Sequence, residues 1–156
     1  MTTIAPSAQT GSAAPADATT PRRRTQLSAP ASAVLSAFRV VVGFLFLCHG
    51  LMGFGLLGGV DGQGAAVPLG QWPGWWATVI ETVGAVLILT GLFTRPTAVL
   101  LSGTMAYAYF TVHAAEGLLP LQNMGEPAAL YSWIFLLIAL LGPGRFALDT
   151  LLRRRR

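Results

Sequence analysis

Four apolar runs, at residues 33–54, 75–93, 96–115 and 127–141, alternate with short segments where glycine, proline and charged residues gather. A helix needs ~20 apolar residues to cross a bilayer. The pattern therefore predicts an all-α, polytopic membrane protein, an antiparallel four-helix transmembrane bundle with short loops. Residues 1–32 are mostly Ala, Thr, Ser, Pro and Gly, which bury too little surface to offset ordering entropy, and read as a disordered N-terminal segment. The bundle domain then occupies residues 33–149, and residues 150–156 form a basic C-terminal tail.

Polar residues inside the apolar runs are few, and their helical phase matters. Thr78, Glu81, Gly84, Ala85 and Ile88 share one face of the second helix. Small residues on that face let neighbouring helices approach closely. A carboxylate in hydrocarbon costs roughly 2.5–3.5 kcal/mol on insertion scales, so Glu81 turns toward a partner or a cavity. It either joins helices through a buried hydrogen bond or belongs to a functional site. Gly43, Gly50 and Gly53 give the first helix a thin face of its own. Ser102, Met105, Tyr109, His113 and Glu116 form a polar stripe on the third, facing inward or lining a groove.

The ends of the runs carry their own signals. Trp72, Trp75 and Trp76 mark the outer boundary of the second helix, because tryptophan favours the headgroup level. Arg95-Pro96 reads as a short inner turn with Pro96 opening the third helix. Glu126-Pro127 opens the fourth, where a carboxylate complements the helix dipole. Gly142-Pro143-Gly144 ends it.

Composition sharpens this picture. The chain has 156 residues, of which 53% are hydrophobic and 10% charged, too apolar for an ordinary soluble domain. The net charge of +4 is carried by arginine at chain and helix ends, with no lysine, which excludes a nucleic-acid footprint. All ten arginines, Arg22 to Arg24, Arg39, Arg95, Arg145 and Arg153 to Arg156, fall on one side of a four-helix layout. Under the positive-inside rule both termini are cytoplasmic. Arg39 lies near enough to the inner face for its side chain to snorkel to the headgroups. Cys48, the single cysteine, excludes an internal disulfide and a CxxC pair.

In this orientation His49 and Glu81 lie ~9 Å below the outer boundary, with His113 nearer the surface. The expectation is an outward-facing pocket lined by His49, Glu81, Tyr109 and His113, with Asn123, Glu116 and Glu126 at its mouth. His49 is the partner for Glu81, because Arg39 is ~13 Å away along the membrane normal. A metal is a poor match, since histidines and carboxylates come from three helices without ligand spacing. Haem, a proton relay and a quinone head group remain candidates. His or Tyr would hydrogen-bond a quinone, and Glu81 and His113 could deliver protons.

Four motifs resemble the DoxX family. These are Arg39 with the Gly43-to-Gly50 run ending His49-Gly50, Glu81-x-x-Gly84 through Thr94-Arg95, Asn123-x-Gly125-Glu126-x-Ala128-x-x-Tyr131, and Gly142-Pro143-Gly144-x-x-x-Leu148-Asp149. They occur in order from about residue 32 to 149. Where the family usually has a basic residue after His-Gly, this chain has Met52-Gly53-Phe54. The resemblance implies a four-helix protein of the bacterial inner membrane, similar to subunits associated with thiosulfate:quinone oxidoreductase, with soluble redox enzymes as partners. It carries Arg39, His49, Glu81, Arg95, Asn123, Glu126 and Asp149 as matching polar positions. Arg95 and Asp149 read as structural, Asp149 pairing with a cytoplasmic arginine.

The reading is a membrane subunit of a quinone-linked oxidoreductase system, active in redox homeostasis. Glu81, His49 and His113 are its catalytic candidates, and Arg39, Tyr109, Asn123 and Glu126 its cofactor-binding ones. Quinone is the candidate cofactor, since no flavin, dinucleotide or haem-attachment motif is present. Lipid and other protein subunits are the expected partners, and a homo-oligomer is compatible. The alternative is a non-catalytic anchor or assembly partner for soluble redox proteins.

Overall fold

A computed structural model describes residues 28–154, and the readings of residues 1–27 and 155–156 lie outside them. The described chain is all-helical: α1 (Ala29–Gly53), α2 (Gly74–Thr90), α3 (Thr94–Ala108), α4 (Glu126–Leu141) and α5 (Leu148–Arg154), with a π-helical segment Tyr109–His113 continuing α3. Among the described residues, only α1 is long and apolar enough to cross a membrane by length and composition alone, while α2 and α4 are shorter apolar helices.

The thin face of α1 packs against α2 as its glycines foretold. Gly43 lies against Leu89, Gly50 against Thr82 and Gly53 against Thr78, an order that makes the two helices antiparallel. A Cβ on Gly43 would come 2.9 Å from the Leu89 nitrogen. The buried residues of α2 are Thr78, Glu81, Gly84, Ala85 and Ile88, the face expected from helical phase. On α3, Ser102 Oγ donates to the Ser132 carbonyl at 2.8 Å, tying it to α4. Val42, Phe46, Ala85, Ile88, Leu101, Met105, Phe135 and Ile138 meet in one core drawn from all four long helices.

Several boundaries differ from expectation, each for a local reason. The start of α1 falls four residues early, inside the stretch read as disordered. Ser28 Oγ accepts from the Ala31 nitrogen and Pro30 sits in the first turn, both standard starting devices. The end of α2 comes at Thr90, because Gly91 takes a left-handed conformation with φ 72° and caps the helix. Arg95-Pro96 is therefore not the turn but the first turn of α3, which starts at Thr94. The expected tail is helical through Arg154 as part of α5. The glycine-rich connection between α1 and α2 is ordered by Asp61, whose Oδ1 accepts from the Gln63 and Ala65 nitrogens at 2.9 Å. The bond from Ala65, then that from Gln63, holds this exposed carboxyl below its ordinary pKa.

The largest correction concerns Arg39. It does not snorkel: its side chain is fully buried, 1% exposed. Nη1 donates to the carbonyls of Ile88 and Leu89 in the last turn of α2, the second at 2.7 Å; the Ile88 carbonyl also accepts from the Gly91 nitrogen at 3.1 Å. Nε donates to the Pro143 carbonyl at 3.0 Å and Nη2 to the Phe146 carbonyl at 2.7 Å. Residues 142–147 thus fold back over this end of the helices, and Gly144 fits against Ser36. Asp149 also departs from its expected pairing with an arginine. Its two carboxylate oxygens accept from the Phe93 and Thr94 nitrogens at 2.9 Å, capping α3 from another helix.

Candidate functional site

At the opposite end from Arg39, the antiparallel contact of α1 and α2 sets His49 beside Glu81. His49 Nε2 is 3.9 Å from Glu81 Oε2, the one histidine–carboxylate contact within 4 Å among the described residues. That separation is longer than a hydrogen bond. The two side chains differ in access. His49 is 53% exposed at its side chain and Glu81 10%. An imidazole therefore stands at the rim with a carboxylate behind it. Next along each helix, Gly50 meets Thr82, and the Thr82 hydroxyl is buried without a hydrogen-bond partner.

Phe46 fixes the imidazole from below. It is fully buried, and its ring stacks on His49 at 5.9 Å between centroids with a 17° interplanar angle. Its other neighbours are Tyr131 at 4.9 Å and Phe135 at 4.7 Å. Tyr131, absent from the expected site, thereby joins it through Phe46. The signal for it was its position four residues beyond Pro127 in α4, within the third motif, on the face shared with Phe135.

The other candidates form a separate group. His113 Nδ1 is 2.9 Å from the Asn123 carbonyl oxygen. Asn123 is buried, donating to the Gly117 carbonyl at 2.7 Å and accepting from the Gly125 nitrogen at 2.8 Å. Tyr109 packs edge-on against Phe110 and lies beside Gly125. Glu126 is exposed in the first turn of α4. Together these residues build the α3–α4 connection. No hydrogen bond or ion pair joins them to His49 or Glu81 among the described residues. The π segment keeps His113 on this connection while Glu116, three residues on, is exposed. Such segments often accompany functional sites.

Of the seven candidates, the structure brings Glu81 and His49 together, groups Tyr109, His113 and Asn123 apart from them, and leaves Glu126 at the surface. Arg39 is at the far end, with its donors spent on carbonyls, so it is not a ligand for anything at the pair. Among the described residues, three grooves open elsewhere on the surface. One, of about 410 Å³, runs between α2 and α3 from Trp72 and Trp76 to Gly103 and Tyr107. The others lie near α5. None of the three is lined by His49, Glu81, Tyr109 or His113.

Comparison with known proteins follows the same helices. The DoxX family profile matches residues 34–114, from α1 through the π segment. A Haemophilus influenzae protein described as uncharacterized is 42% identical over 123 residues, covering 74% of this chain and 87% of that protein. No solved structure matches the chain. The His49 and Glu81 motifs fall inside residues 34–114 of the family match, whereas the α4 and C-terminal motifs lie beyond residue 114. With more than half its length in the profile and a relative aligned over most of both chains, the chain belongs to the DoxX family of membrane proteins.

Proposed function

We propose that the protein is a multi-pass component of the bacterial plasma membrane, with α1 to α4 spanning it and both termini cytoplasmic, and that it is the membrane subunit of a quinone-linked oxidoreductase system. Support for the topology comes from the outward faces of the helices, where Val41, Phe44, Leu45, Val83, Val86, Val99, Leu137 and Leu140 are exposed, as lipid-facing residues would be. Arg39, Arg95, Arg145 and Arg153 gather at one end, and the connections at the other, residues 54–73 and 114–125, carry no arginine or lysine. That asymmetry is what the positive-inside rule requires.

The single observation that carries the functional reading is the His49–Glu81 pair on facing apolar helices. Ionisable groups are expensive in such a place and mark proton or ligand pathways. The donor set fits a quinone head group: an imidazole nitrogen at the rim can donate to a carbonyl oxygen, and a carboxyl behind it can hold or supply a proton. A bound quinone would supply two-electron chemistry coupled to protons. The chain's own part is to orient the head group through His49, whose ring plane Phe46 fixes. Glu81 exchanges the proton with the imidazole. His113, Tyr109 and Asn123 shape the α3–α4 connection rather than touch the head group, and electrons come from a partner redox protein.

Binding of decylubiquinone to detergent-purified protein, followed by tryptophan fluorescence, tests this. Glu81→Gln and His49→Gln should each weaken binding ~10-fold, the equivalent of ~1.4 kcal/mol and one lost hydrogen bond. Unchanged affinity in both variants would remove the pair from any quinone site.

A further inference from the structure

Between the start of α3 and α5, at the arginine end, lies a groove of about 550 Å³ lined by Phe93, Arg95, Pro96, Leu152, Arg153 and Asp149. We propose that it binds the phosphate-bearing headgroup of an anionic lipid. It lies at the far end from His49 and Glu81 and stands apart from the quinone reading.

The charges in the groove do not cancel. Asp149 turns both oxygens onto the Phe93 and Thr94 nitrogens. Arg95 and Arg153 are exposed, and neither forms an ion pair or a side-chain hydrogen bond among the described residues. The Arg95 guanidinium lies over Gly142, where a Cβ would meet Nη2 at 3.1 Å. The bare backbone at Gly142 thus leaves room for the guanidinium to lie close against it. Two guanidinium groups on one concavity match phosphate oxygens, which they hold through paired, charge-assisted hydrogen bonds.

The walls narrow the ligand from an anion to an amphiphile. Phe93 is 63% exposed and Leu152 53%, both bordering the same groove. A free inorganic anion gains nothing from such walls, whereas the glycerol and first methylenes of a phospholipid bury against them. Positive-inside topology alone requires arginine at this end. It does not require two arginines to line one half-apolar groove together with Phe93 and Leu152. Basic residues at this level are attracted to anionic lipid in any arrangement, so the site is distinguished from the tail by experiment.

Native mass spectrometry of the full chain in detergent, titrated separately with phosphatidylglycerol, phosphatidylcholine and inorganic phosphate, reads this directly. The expected result is one retained phosphatidylglycerol, at least five-fold favoured over phosphatidylcholine, with no phosphate adduct. Arg95→Gln combined with Arg153→Gln should reduce that adduct at least five-fold. Arg153→Gln alone, on an exposed position of α5, should reduce it at least two-fold. Neutralising Arg154, Arg155 and Arg156 together should leave it within two-fold. Equal binding of the two lipids, phosphate binding as tight as lipid, an adduct that survives both groove variants, or one abolished by the tail variant would each overturn the proposal.

Discussion

Arg39 and Glu81 are both lone charges on apolar helices, and the structure gives them opposite fates. Arg39 is stripped of water and surrounded by carbonyls of Ile88, Leu89, Pro143 and Phe146. A planar guanidinium can serve four acceptors at once, and an ammonium cannot. Arg39→Gln should therefore lower stability by ~3 kcal/mol, because several carbonyls lose their donor together. Arg39→Lys should recover little of that loss. Denaturation of the detergent-solubilised protein by SDS checks both, and an unmoved midpoint would mean that the carbonyls find other donors. The sequence placed Arg39 on the first helix but could not show residues 142–147 folding back to cover it. For the same reason Asp149 read as a partner for arginine, although its oxygens go to backbone nitrogens 55 and 56 residues away. Glu81 keeps a single ionisable neighbour, His49, which depth had already paired with it.

Helices show how far periodicity reaches. The contact of α1 with α2 was legible because glycine and other small residues recur at helical spacing on both. The boundaries were less so: the Ser28 cap was obscured by a polar N-terminal segment, and Gly91 lay inside an apolar run. A π segment was invisible, since nothing in Tyr109 to His113 departs from ordinary helical composition. The glycines of α1 and α3 are not equivalent. A methyl group at Gly50 would crowd the Thr82 nitrogen at 3.0 Å, while at Gly103 it would meet nothing within 4 Å. Gly50→Ala should thus cost ~1–3 kcal/mol by overpacking. It should also weaken quinone binding by displacing His49 from Glu81. Gly103→Ala should be neutral or stabilising by ~0.5–1 kcal/mol. The same SDS titration compares them, and equal effects of the two substitutions would show that α1 and α2 do not pack closely at Gly50.

At the scale of the whole molecule, charge and access are divided between the two ends. One end holds the arginines, the folded-back segment and α5, and works as a structural closure. The other holds the glycine-rich connection, the π segment, the α3–α4 connection and, just below them, the only close pairing of ionisable side chains among the described residues. The helical class and the layout of the runs were readable from hydropathy alone. The single pocket expected from depth was not, because residues at one depth on different helices still face different neighbours: His113 turns to Asn123 and His49 to Glu81. The central claim is that the latter pair serves a quinone. The most direct measurement is organic extraction of protein purified from quinone-containing membranes, with chromatographic quantification of the extract. The account expects close to one quinone per chain in the native protein and its loss in Glu81→Ala and His49→Ala. A native protein free of quinone, or variants that retain it in full, would contradict that claim.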